Sequence, residues 1–245
     1  MIYKRILLIG GSGFLGRNLI NSLLGSCDKL VVLIRSKKQI LDISPNQENI
    51  QFVEAEIADT DKIKKLIDLF NIEIVMHLAS ELIPSSNKTD FFTEFEEIVI
   101  PTFKILHFLA QKKVKIIFFS SAGVIYGNQE TVITEKTDPK PLNYYGYSKL
   151  LIEQHILLLS RILDLAYVIV RPSNVYGKYG KINKLQGFIE LATEKILNDE
   201  PIEIWGSGNQ TRDFIHITDF TKIIGQILSS NIKNEIINVA YGKSY

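Results

Sequence analysis

The chain has 245 residues, enough for one sizeable core and at most a small accessory lobe. Hydrophobic residues make up 46% and charged residues 22%, the balance of a folded globular protein and not of a disordered one. With 28 basic against 27 acidic side chains the net charge is +1, so no basic excess exists to draw in nucleic acid or an anionic membrane surface.

Cys27 is the single cysteine and has no internal disulfide partner. His77, His107, His155 and His216 lie far apart, no Cys/His cluster has zinc-ligand spacing, and no metal site is expected. The N-terminus enters a strand directly, without a signal-peptide pattern. The longest apolar runs, such as 116–119 and 166–170, fall far short of the roughly 20 residues that span a bilayer. A cytoplasmic, reduced setting is the expectation.

In chain order, short apolar runs alternate with longer amphipathic segments. The pattern predicts strands at 5–9, 30–34, 51–53, 72–76, 114–119 and 167–170, with helices at 14–24, 61–70, 91–111 and 144–163. Strands separated by helices in this way form a parallel sheet covered on both faces, a doubly wound Rossmann-type α/β fold. Past Arg171 the regularity falls: a Gly/Lys-rich stretch at 177–184, a helix at 188–198, a short strand at 202–204, a helix at 219–229 and a strand-like run at 236–239. The expected division is a dinucleotide-binding domain over 1–171 and a partial substrate-binding lobe over 172–245, interleaved with the sheet and ending abruptly.

The first strand runs into Gly10-Gly11-Ser12-Gly13-Phe14-Leu15-Gly16 and then a helix. Glycines at these spacings allow a tight turn, close approach of a pyrophosphate and close packing of helix on strand, while the helix N-terminus offers free N–H groups to phosphate. An acidic residue about 20 positions further on normally grips the adenosine ribose of NAD. The second strand instead ends in Leu33-Ile34-Arg35-Ser36-Lys37-Lys38, three cations suited to a 2′-phosphate, which favours NADP over NAD; the alternative is a solvated basic loop.

Tyr145 and Lys149 stand four positions apart at the start of the 144–163 helix and share one face. A free phenol titrates near about 10, and a neighbouring ammonium would favour the phenolate that takes a proton from an alcohol. Tyr144 and Tyr147 are expected to pack or to wall the substrate site.

With these motifs placed, the chain resembles the extended short-chain dehydrogenase/reductases, the nucleotide-sugar epimerase/dehydratase family. The resemblance runs through the glycine loop, Glu54-Ala55-Glu56-Ile57-Ala58-Asp59, His77-Leu78-Ala79-Ser80, Ser120 to Gly127, Tyr145 to Lys149, Arg171 to Gly177, Trp205 to Gly208, and Arg212-Asp213-Phe214. It implies that Tyr145 is the acid/base and that Lys149 binds the nicotinamide ribose and lowers the tyrosine's pKa. It implies cofactor contacts from Gly10, Gly13, Phe14, Leu15, Gly16, Leu78 and Ala79, with Arg35 at the ribose and Glu56 and Ile57 beside the adenine. Asn174 and Arg212 would meet the substrate diphosphate, and Trp205 the nucleotide base. For Arg212 and Trp205 the plainer alternatives are a surface ion pair and a core indole. Homodimerisation is common in the family, although nothing in this sequence signals it independently.

Three departures stand out. Counting back from the family's Tyr-Gly places its hydroxyl residue at Ala122, leaving Ser121, one position earlier, as the candidate. The family's Asn-Val-x-Gly-Thr is Ile98-Val99-Ile100-Pro101-Thr102 here, which exchanges a polar contact for packing and has Pro101 bend or restart the long helix. Relatives also usually continue for several dozen residues beyond the equivalent of Tyr245. The leading expectation is a 4-epimerase acting on a nucleotide-diphosphate sugar, followed by an NADPH-dependent keto-sugar reductase. A dehydratase lacks its acid pair, since Gly123-Val124 stands where that branch has Asp-Glu. A non-catalytic dinucleotide-binding sensor or remnant is the alternative of a different class.

Overall fold

The computed structural model describes residues 5–36, 48–129, 131–177, 187–204 and 208–245. Strand β1 (Arg5–Ile9) leads through helix α1 (Phe14–Leu23) to β2 (Lys29–Ile34) and β3 (Ile50–Glu54). Then come α2 (Thr60–Leu69), β4 (Ile74–His77), α3 (Lys88–Glu94), a π-helical turn (Phe95–Val99), α4 (Ile100–Lys112) and β5 (Lys115–Phe119). The short α5 (Ala122–Ile125) and the long α6 (Tyr144–Leu163) precede β6 (Tyr167–Pro172) and β7 (Asn174–Tyr176). The rest is α7 (Phe188–Leu197), β8 (Phe214–His216), α8 (Ile217–Ser229) and β9 (Glu235–Val239).

Seven strands form one parallel sheet in the order β3-β2-β1-β4-β5-β6-β9, and β7 and β8 pair separately, also in parallel. The period of two along a strand divides the apolar residues between two cores. Leu7, Ile9, Val31, Val75 and Phe118 face α2, α4 and α6, which contribute Ile63, Ile105, Leu109, Ile152 and Ile156. Ile6, Leu8, Val32, Met76 and Phe119 face α1 and α8, which contribute Leu19, Ile20, Phe220 and Ile224. Each such side chain, fully buried, stabilises the fold by about 1.5–3 kcal/mol. The doubly wound parallel sheet is therefore as expected. Residues 201–204, by contrast, form no strand: this stretch stays exposed and finds no pairing partner, so the alternating Ile202 and Ile204 had no sheet to join.

The long helix is interrupted where Pro101 enters. Without an N–H, Pro101 cannot pair with the carbonyl four residues back. The chain meets this with the π-helical turn, in which the Ile100 N–H reaches the Phe95 carbonyl, before α4 begins with Pro101 in its first turn. Further along the same face of the sheet, a buried polar chain ties four elements together. Arg171 of β6 donates to Glu153 of α6 through Nε (3.0 Å) and Nη2 (2.5 Å). Its Nη1 donates to the Tyr126 hydroxyl at 2.7 Å, which in turn donates to Asn238 Oδ1 of β9 at 2.7 Å.

Among the described residues no helix is long and apolar enough to cross a membrane. Among them also, no group of three or more His, Cys, Asp or Glu is placed to hold a metal ion.

Candidate active site

In a doubly wound sheet, ligands bind beyond the C-terminal ends of the strands where the strand order reverses. That point lies between β1 and β4, and there the two loops touch. Gly10 has φ +88°, and a Cβ on it would stand 2.8 Å from the Ala79 N and 3.1 Å from the Leu78 carbonyl carbon. A Cβ on Gly16 would stand 2.4 Å from the Gly10 carbonyl oxygen, so only glycine lets α1 start this close to the loop. Gly13 caps α1, no side chain caps that end, and no acid occupies its first turn. Its free N–H groups and positive helix end fit a pyrophosphate. Phe14 and Leu15 are partly buried beside it, and Ile57 is buried next to the exposed Glu56 beyond β3. These features suit a dinucleotide.

Arg35, the cation proposed for a 2′-phosphate, forms an ion pair with Glu81 from the loop after β4. The neighbouring Lys37 and Lys38 lie outside the described residues, as does Trp205.

Asn143 caps α6 by accepting the Gly146 N–H at 2.8 Å, which fixes the start of the helix and so the direction of Tyr145 and Lys149. Lys149 is 2% exposed, with its Nζ directed to the Ala79 carbonyl at 3.5 Å, 5.2 Å from the Phe118 ring and 5.8 Å from the Tyr145 ring. Lys149 thus sits on the loop that touches Gly10, with the Tyr145 ring beside its ammonium. Ser121 is the N-cap residue of α5 but spends no hydrogen bond on the helix, and its hydroxyl is turned toward the Tyr145 phenol, whose rise it opposes. Ala122 begins the helix instead.

Burial, reinforced by the charge of Glu94, pushes the Tyr145 phenol up to about 12 against the opposing Ser121 hydrogen bond. The phenol is thus raised where a lowered one was expected, because stripping water from a phenolate with a carboxylate nearby disfavours its charge. Burial brings Lys149 down to about 8, opposed by Glu94 and Glu153. His77 is pushed down to about 3 by burial and then by Lys149. Its Nε2 lies 2.9 Å from Thr102 Oγ1, which donates to the Ile98 carbonyl at 2.6 Å, so the ring donates here and stays neutral.

Asn174 of β7 donates to the Asp213 carbonyl at 2.8 Å. Its Oδ1 and the Ser121 Oγ both lie within 3.8 Å of the space above Gly123, so the candidate substrate amide is brought beside the candidate hydroxyl. Arg212, next to Asp213, is exposed and donates to the Thr211 carbonyl at 2.8 Å. A cleft of about 460 Å³ opens at the N-terminus of α6, lined by Ser86, Pro141, Leu142, Asn143, Tyr144 and Tyr147. Phe91 of α3 walls it from behind, with ring centroids 5.2 Å from Tyr144 and 5.7 Å from Tyr147.

Sequence reasoning missed Glu94. It was one of three acids, with Glu96 and Glu97, just before the altered Ile98 motif. The π turn breaks α-helical phase, so periodicity could not say which of them faces inward.

A Rossmann-type sheet with a Tyr-Lys pair at its switch point defines the class, and the chain belongs to the NAD dependent epimerase/dehydratase family, which matches residues 6–240. It is an enzyme of that family. Among its relatives is the "Putative UDP-glucose 4-epimerase" of Methanocaldococcus jannaschii, 32% identical over 97% of this chain and 77% of the relative. The dTDP-4-dehydro-6-deoxyglucose reductase of Escherichia coli is 30% identical over 98% of this chain and 77% of the relative. Among solved structures, UDP-glucuronic acid 4-epimerase from Bacillus cereus, in complex with UDP-glucuronic acid and NAD, is 27% identical with a TM-score of 0.86. It is matched over 98% of this chain and 79% of that one.

Proposed function

We propose that this enzyme works at carbon 4 of a nucleotide-diphosphate sugar, as a 4-epimerase. The observation that carries the proposal is the buried pair of Tyr145 and Lys149, with Ser121 at the phenol and Lys149 on the loop that touches Gly10. All three relatives named above carry position 4 in their names. A nicotinamide bound at the Gly10 loop would supply the reversible hydride acceptor for the sugar carbon. Tyr145 accepts the hydroxyl proton and gives it back, and Ser121 holds the reacting oxygen toward the phenol. Lys149 grips the cofactor ribose and offsets charge on Tyr145. Asn174 and Arg212 take the diphosphate and Trp205 the base, with residues 1–171 serving the cofactor and 172–245 the sugar. A homodimer in the cytoplasm completes the proposal.

A second reading, an NADPH-dependent keto-sugar reductase, is favoured by two observations. Arg35 follows β2 as the cation offered to a 2′-phosphate, and the raised Tyr145 is the protonated form that reduction needs. UDP-, dTDP- and GDP-linked sugars and their 4-keto forms decide between the two. Isomer formation without net nicotinamide absorbance change supports the epimerase, and stoichiometric loss of NADPH supports the reductase. Cofactor binding without turnover of any of them would leave a non-catalytic binder.

A further inference from the structure

Glu94, the last residue of α3, is 3% exposed, whereas Glu96 and Glu97 in the following turn face solvent. Its carboxylate is engaged on one side by the loop after β4: Oε1 accepts the Ser80 hydroxyl at 2.7 Å and Oε2 the Glu81 N–H at 2.8 Å. The residue before Ser80 is Ala79, whose carbonyl meets Lys149. On the other side α3 packs on α6 through Phe91 and Tyr144, and the charge of Glu94 is felt by both Tyr145 and Lys149. Two neutral donors do not cancel a carboxylate removed from water, and a buried charge needs a partner of opposite sign. The cation that its charge reaches is Lys149, whose Nζ meets the carbonyl of Ala79 on the same loop.

We propose that Glu94 is a positioning residue of the proton-transfer site: its carboxylate fixes the Ser80–Glu81 loop against α6 and gives Lys149 a counter-charge beside Tyr145. This rests on the roles given above to Tyr145 and Lys149. A protonated phenol is the form that delivers a proton to a keto-sugar oxygen as hydride reaches the carbon. Glu94 therefore favours the reducing half of the cycle, at the expense of the oxidising half.

The other groups around the cluster leave this role to Glu94. Glu153, one turn along α6, supports Lys149 less than Glu94 does, and its carboxylate is held by Arg171 of β6. His77 at the end of β4 is held neutral. Glu81 turns its own carboxylate to Arg35, and from α5 the contact is the Ser121 hydroxyl.

The test is a lysine ¹³Cε NMR titration of the ligand-free protein, with the Lys149 signal assigned by its loss in Lys149→Met. Glu94→Gln should move its midpoint down by about one pH unit, as loss of one nearby opposite charge requires, while Glu94→Asp leaves it near the parent's. Ser80→Ala, which removes a donor that shares the carboxylate's charge, should move it up. The basic limb of keto-sugar reduction should fall in Glu94→Gln by the same amount. An unchanged or raised midpoint in Glu94→Gln, or an unchanged one in Ser80→Ala, overturns the proposal while turnover keeps the functional reading. A shifted midpoint in a protein that turns over no nucleotide sugar leaves the charge pairing standing and overturns the functional reading.

Discussion

Replacing Glu153 with Gln keeps the shape of the side chain and removes its charge, leaving the guanidinium of Arg171 without its counter-ion. Arg171 is 2% exposed and Glu153 0%, so water cannot replace the lost carboxylate. Breaking one partner of a buried, doubly hydrogen-bonded pair costs about 3–5 kcal/mol. For a chain of this size each kcal/mol is worth roughly 2–4 °C, so the midpoint of thermal unfolding should drop by roughly 6–20 °C. Calorimetry or circular dichroism at pH 7 measures it. The double variant Glu153→Leu, Arg171→Met takes both charges away together and should recover most of the loss, because the desolvation cost disappears with the attraction. A loss under about 1 kcal/mol in Glu153→Gln, or a double variant no better than the single one, would refute the reasoning.

Tyr145→Phe should bind cofactor as the parent does and lose about 10²–10⁴-fold in turnover; near-parental activity would remove Tyr145 from acid/base work. Arg35→Asp should weaken NADP relative to NAD by about 10–100-fold, the value of charge-assisted hydrogen bonds to a 2′-phosphate, and an unchanged ratio of dissociation constants would count against that role. His77 gives a pH dependence. Its folded value of about 3 lies below the ordinary 6.5, so the unfolded chain binds more protons between them, and stability present above pH 6.5 is lost as pH falls toward 3. Urea unfolding at pH 5 should therefore show about 2 kcal/mol less stability than at pH 7 from this ring, and His77→Gln should lessen the drop; a ring titrating near 6.5 by NMR would contradict it.

The buried strands were legible because a strand covered on both faces is a continuous apolar run, as in Ile6 to Ile9 and Val31 to Ile34. Helix α6 was legible to both ends, since Asn143 is a strong N-cap and its hydrophobic spacing is regular. The three-residue strands β7 and β8 and the single turn of α5 carry too few residues to show a period. Spacing placed Tyr145 and Lys149 on one face but could not weigh burial against charge, and so missed the direction of the phenol's shift. Pro101 announced a break in the helix, yet only the geometry shows that the break turns Glu94 inward.

Strand β6 pairs on one side with β5 and on the other with β9, with Val168 opposite Glu235 and Pro172 opposite Val239. All six residues of β6 are buried, yet its second neighbour is made some sixty residues later. At translation rates of about 5–20 residues per second, the nascent chain holds an open, apolar sheet edge for several seconds before β9 emerges. The same delay leaves Tyr126 without Asn238, so the polar chain that braces the Tyr145 helix through Glu153 is completed only then. Newly made chains should be most prone to associate with one another, or to need a chaperone, in that interval, and a synthesis stall between residues 172 and 235 should prolong it.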